Sequence, residues 1–175
     1  MSLLRRLFRD AQAAAAAEMA LITPLILVLM MGGLEIGNYF YNEHVLLKAV
    51  RDGARYAARQ NFTYYGGCTG SPTGTVVDDT KKLVKTGLVS GGTLAPGSLD
   101  RLRNWDASTT ISVTMSCTTT ANSTTMSGIY RGRTSGAPRV TVSASVPYVP
   151  VLSMFGFTGA GLQLNADEQA AVMGI

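Results

Sequence analysis

The sequence predicts an α+β protein: a long N-terminal helix, first transmembrane and then amphipathic, packed on a small antiparallel sheet of three to four strands. Three observations carry this. An almost unbroken apolar run extends from Ala11 to Leu34, a helical pattern continues from it to about Gln60, and short segments of alternating polarity occupy the C-terminal half. A chain of 175 residues that is 46% hydrophobic, with a mean hydropathy of +0.18, accommodates one membrane helix and one modest domain. The divisions expected are a basic leader at 1–13, a transmembrane and spine helix at 14–60, and an α+β domain at 61–175.

The run AQAAAAAEMALITPLILVLMMGGL would span roughly 35 Å as a helix, slightly more than the hydrocarbon thickness of a bilayer. A buried core helix is the competing reading, but Met19 to Leu34 carries neither a charge nor a polar stripe. Arg5, Arg6 and Arg9 precede the run, against Asp10 alone. Positive flanks stay in the cytoplasm, which puts the C-terminal portion in the periplasm of a bacterial cell and the helix in its inner membrane. A cleaved secretory signal is disfavoured, because GGLEIGNYFYNEHVLLKAV follows with no small-x-small cleavage site and the helical pattern goes on.

Glu18 is the exception within the run. An uncompensated carboxylate in a bilayer costs a few kcal/mol and marks a function by default. The bland alternative is a shallow position from which it reaches the interface. The functional reading needs a cation, and cleavage between Ala13 and Ala14 would supply one: Glu18 would become the fifth residue of a chain that begins with a free amine.

Past the membrane, Ile36, Phe40, Leu47, Val50, Ala54 and Ala57 recur at helical steps and form the expected apolar face, with Asn38, Asn42, Lys48, Arg51, Asp52 and Arg55 directed elsewhere. Helix and span together would measure about 75 Å. Glu35 is expected at the outer interface, where a carboxylate is cheap. Gly33 and Gly37, at small-xxx-small spacing, allow close helix packing or are an incidental pair. Pro24 removes a backbone hydrogen bond in mid-span and should kink or locally unwind the helix. Arg51, Asp52 and Arg55 can pair along the helix surface.

Asn61 to Thr75 is rich in Gly, Thr and Tyr and reads as a loop. Val77 to Leu88 has aspartates in its first turn, lysines later and Gly87 near its end, the signature of a short helix, with Val77, Leu83, Val84 and Leu88 available to pack on a sheet. Thr109 to Cys117, Arg139 to Tyr148 and Leu162 to Met173 alternate as strands do. The apolar patch VPVLSMFGF, 149–157, is expected to cover the core; contact with the membrane or a partner is the alternative. Cys68 and Cys117 are the only cysteines, and an even count in the periplasm favours one disulfide, with free thiols or a redox pair as alternatives.

Other chemistry finds little support. The net charge of +4 is scattered: Arg101, Arg103, Arg131, Arg133 and Arg139 form no basic stripe, so nucleic-acid binding is disfavoured. The single histidine, His44, has no Cys or carboxylate cluster at ligand spacing, and Trp105 reads as a core or edge aromatic. No nucleophile elbow or paired acids stand out, so neither an enzyme nor a cofactor is expected.

The order basic leader, small residues, Glu18, long apolar helix resembles a type IV prepilin. Glu18-Met19-Ala20-Leu21, Pro24, Glu35-Ile36-Gly37 and AVRDGARYAAR, residues 49–59, are similar to the TadE-like pseudopilins, or minor pilins, of the tight adherence (Tad or Flp) pilus system. The resemblance is close over about the first 60 residues and loose thereafter. It implies a non-enzymatic single-pass protein whose leader a prepilin peptidase removes, and whose helix packs with other pilins and pseudopilins, through Glu18 and the apolar stripe, at an inner-membrane assembly platform. Priming or capping of the pilus would be its role. The RDGAR segment would meet a partner pseudopilin. The family usually has Gly before the scissile bond, where this chain has Ala13. The alternative function is an uncleaved periplasmic anchor or scaffold that binds an envelope component.

Overall fold

In a computed structural model the chain forms a long helix whose upper half is covered by a small α+β domain. The structure describes residues 11–89, 100–102, 105, 109–118, 126–133, 135–156, 158–159 and 161–174. The basic leader with Arg5, Arg6 and Arg9 lies outside them, as do Arg103 and part of the segment between Thr118 and Ala137.

Helix α1, Ala11–Ala58, is 48 residues long. Its first part is rich in Ala, Leu and Met, among the strongest helix formers. It continues as helix through Pro24, without the local unwinding that is one of the two outcomes expected from the missing N–H. The Thr23 hydroxyl adds a hydrogen bond of 2.6 Å to the Met19 carbonyl, and one lost backbone bond does not break the rod.

Helix α2, Val76–Thr86, ends at Gly87, which takes the left-handed conformation and returns its N–H to the Leu83 carbonyl. Strands β1, Thr110–Thr118, β2, Ala137–Pro147, and β3, Gln163–Ala171, form an antiparallel sheet in that order. Val142 stands opposite Val113 on one side and Glu168 on the other. One face of the sheet, including Val113, Met115, Val140, Val142, Ala144, Val146, Leu164 and Ala166, faces the helices, with β2 and β3 against α1 and β1 against α2. The other carries Thr110, Ser112, Thr141, Ser143 and Ser145 toward solvent. The fold class is thus α+β as the alternation predicts, with three strands among the described residues.

Helix α2 packs chiefly on α1 rather than on the sheet. Gly53 makes this possible: a β-carbon there would clash with Cγ2 of the fully buried Val84. Gly53→Ala should therefore lose stability despite a better helix propensity. Overpacking against a stiff β-branched side chain costs about 1–3 kcal/mol, against roughly 1 kcal/mol gained in the helix, and thermal unfolding in detergent should show the net loss.

The face of α1 that the domain covers differs from the expected one. Val50, Ala54 and Ala57 are buried, joined by Leu46, Ala49 and Gly53, but Ile36 and Phe40 are 59% and 53% exposed and Leu47 also stays largely outside. The buried stripe turns toward the sheet through Glu35, Asn38, Tyr39 and Asn42; Tyr148 meets the first three, and Asn42 donates to the Asn38 carbonyl of its own helix.

The top of α1 is closed by distant donors. The Met173 N–H reaches the Ala58 carbonyl at 2.7 Å, and the buried Tyr65 hydroxyl bonds the Ala57 carbonyl, satisfying two of the acceptors that every helix end leaves open. Burial pushes the Tyr65 hydroxyl well above the usual phenol range, so it stays a donor.

Candidate functional site

Two regions of α1 matter: a bare apolar shaft and the collar where the domain meets it. Every described side chain from Ala14 to Met30 is exposed, including Leu21, Leu25, Val28, Leu29 and Met30, so the most apolar stretch of the chain is almost wholly uncovered by the rest of it. A core helix would be covered. An exposed stretch of this length and composition fits a single-pass membrane protein.

The shaft carries several residues expected to function. Glu18 is exposed and has no ion-pair partner among the described residues. Gly33 and Gly37 are open: an added β-carbon at either would meet nothing within 4 Å, so no part of the domain uses the space they leave. Ala13 and Ala14 lie in the first turn of α1.

At the collar the structure differs from the sequence reading. Glu35 is buried rather than simply placed at an interface. Its carboxylate accepts the hydroxyl of Tyr148 and the backbone N–H groups of Val151 and Leu152, at 3.3 and 3.1 Å. Those two amides open a 3₁₀ turn, Val151–Phe155, whose cap position is Pro150 and offers no side-chain acceptor, so Glu35 caps the turn from another element. Asn38 donates to the Tyr148 hydroxyl at 2.9 Å, and the Tyr39 ring meets the Tyr148 ring edge-on at 5.2 Å. Burial first, and then the bond to Glu35, raise the Tyr148 hydroxyl above its usual range, which keeps it protonated as the donor.

Glu35→Ala should leave the Tyr148 hydroxyl and two amides without their acceptor. The expected result is a loss of about 2 kcal/mol and faster hydrogen exchange at Val151 and Leu152, with the amides of β2 little changed.

The RDGAR segment also serves the chain itself. Asp52 pairs with Arg101 at 2.9 Å, Arg51 lies 3.7 Å from Glu168 on β3, and Gly53 and Ala54 are buried. These pairs link α1 to other elements rather than running along its own surface. The Arg51 pair is exposed and worth little, whereas the Arg101 pair is half-buried and reinforced by the Arg101 N–H on the Lys85 carbonyl at 3.0 Å. The structure joins Cys68 and Cys117 in a disulfide, and the Met115 N–H on the Gly70 carbonyl holds the same loop along the outer edge of β1.

A groove of about 710 Å³ opens beside the collar between α1, Arg101 and Tyr148. Its carboxylate, Asp100, is 3.5 Å from Lys85. Among the described residues no three His, Cys, Asp or Glu side chains gather as a metal site would require.

The sequence reading missed the capping role of Glu35 and the packing role of Gly53. The partners of Glu35 lie more than 110 residues away, beyond any local pattern. Gly53 carried one signal, a helix-weakening residue among good helix formers.

Comparison with known families agrees with this geometry. Residues 13–55 match the family described as TadE-like protein, and no curated protein and no solved structure matches the chain. The match begins at the foot of α1, takes in the shaft and the collar, and ends at Arg55. The similarity to TadE-like proteins therefore covers the greater part of the long helix and stops before the sheet.

Proposed function

We propose that this protein is a pseudopilin, or minor pilin, required to prime or cap a tight adherence type IV pilus. It is inserted with its N-terminus in the cytoplasm and its domain in the periplasm, and a prepilin peptidase cuts between Ala13 and Ala14. The new amine pairs with Glu18, its own or a neighbour's, and the shaft packs with other pilins and pseudopilins, through Gly33 and Gly37 at its closest approach, on the inner-membrane assembly platform. The protein works by packing and has no catalytic role. The observation that supports this reading best is the bare apolar shaft with one carboxylate on it, lying within the TadE-like match. A core-covering or purely anchoring helix has no need of an intramembrane acid.

Ala13, where the family usually has Gly, favours a second reading: an uncleaved single-pass anchor whose domain binds an envelope component. Intact mass and N-terminal sequencing of the protein from its host's membranes separate the two. A chain beginning at Ala14 supports the pseudopilin; one that still carries Met1 or Ser2 puts the anchor first.

A further inference from the structure

The 3₁₀ turn that Glu35 caps lies where the domain comes closest to the span. The apolar stretch Ala14 to Leu34, bare as far as Met30, would rise about 31 Å as a helix, matching a hydrocarbon core of roughly 30 Å, so Glu35 marks the upper boundary of that core. Two amides of the turn are bonded to the Glu35 carboxylate, which fixes the turn at the same level. One helical turn lower, Met31 and Gly32 are partly covered, whereas the residues beneath them are bare, so the domain's footprint on α1 ends here.

The turn also points apolar side chains outward. Leu152 faces in and is buried, but Val151 is 55% and Met154 84% exposed. Val151 and Met154, three residues apart on this turn with an irregular backbone at Leu152, together make an exposed apolar ridge. Leu162 adds a further exposed apolar side chain at the same end of the sheet, where its carbonyl accepts the Tyr148 N–H at 3.0 Å.

We infer that this ridge is a second membrane contact: Val151 and Met154 enter the boundary between headgroups and acyl chains of the bilayer that α1 crosses, on the side that carries the domain. This rests on the membrane reading of the shaft. Continuity with the span selects lipid as the occupant, because a ridge held level with the edge of the hydrocarbon core, beside the helix that crosses it, is dipped into the interface by the anchor itself. Interfacial elements of this kind bury their apolar face about 5–10 Å into the boundary, a depth comparable to one turn of α1. Glu35 then has a mechanical purpose. By fixing the turn to the helix it gives the domain two attachments to the bilayer, a span and a ridge, and so sets its tilt.

The test uses the full chain with one tryptophan added at a time, reconstituted in phosphatidylcholine–phosphatidylglycerol vesicles whose acyl chains are brominated either near the headgroup or near the bilayer centre. Trp105, which is buried, provides a constant unquenched background. Met154→Trp should be quenched about twofold more by the shallow bromines than by the deep ones. Leu25→Trp, in mid-span, should show the reverse, and Ile129→Trp, an exposed control, no quenching at all. If Leu25→Trp is quenched and Met154→Trp is not, the ridge faces water or a protein partner and the inference falls while the membrane reading stands. If neither is quenched, both fall. Val151→Trp, on the same ridge, repeats the measurement should Met154→Trp fail to fold.

Discussion

Glu18→Ala should abolish pilus assembly in the host while leaving the protein at its normal level in the membrane. The reasoning rests on what the carboxylate costs. It sits on a shaft whose described side chains are all exposed, with no ion partner among the described residues, and a lone carboxylate in hydrocarbon is unfavourable by a few kcal/mol. Removing it makes insertion of the single subunit easier. Lost assembly then cannot be attributed to lost anchoring, because the variant is the better membrane helix of the two. Glu18→Gln, which keeps shape and loses charge, should behave like Glu18→Ala if pairing with an amine is the purpose, and Glu18→Asp should retain part of the activity. Pili counted by microscopy, with the subunit quantified in washed membranes, decide it. Wild-type piliation in Glu18→Ala cells would remove the pseudopilin mechanism.

The second large effect concerns the disulfide. The Cys68→Ser/Cys117→Ser double variant should lose about 4 kcal/mol, since the cross-link closes a loop with a sequence separation of 49 residues and removes the corresponding chain entropy from the unfolded state. For a domain whose whole stability is on the order of 5–15 kcal/mol, that is a large share. Cys68 also adopts a positive φ of 56°, a conformation costing about 1 kcal/mol or more for a non-glycine residue and sustained only by its surroundings. Without the bond, the loop from Gly66 to Gly70 should relax and give up the Gly70 carbonyl that covers the edge of β1 at Met115. Thermal unfolding of the detergent-solubilised protein, with and without reductant, measures the effect. A reductant-independent midpoint would show that the constraint adds nothing.

The elements of this fold were legible because their signals are periodic. The alternation in TTISVTMSC and RVTVSASVPY depends only on neighbours along the chain, and the structure has strands there within two residues. The apolar run gave the shaft by length and composition, and Gly87 marked the end of α2. The choice of face on α1 was not legible in the same way. Ile36 and Phe40 have the hydrophobicity of a core position, yet Glu35 is the neighbour that faces the domain, because Tyr148 and the amides of Val151 and Leu152 come from the far end of the chain to receive it. Hydrophobicity predicts which residues can be buried; which ones are is decided by where partners arrive. The same holds for RDGAR, whose charges meet Arg101 and Glu168, groups that no helical spacing reveals.

The closing of α1 by the Met173 amide bears on the order of events during synthesis. β3 pairs only with the central strand, runs beneath α1 and ends in the segment whose N–H groups reach the Pro138 and Ala58 carbonyls. Ribosomes make it last. The shaft and the first two strands therefore emerge while one side of β2 still lacks its neighbour, and the core can close only once residues 163–173 have cleared the ribosome. Until then the subunit is an anchored helix trailing an unfinished sheet, so a chain interrupted shortly before β3 would retain its anchor but not its collar.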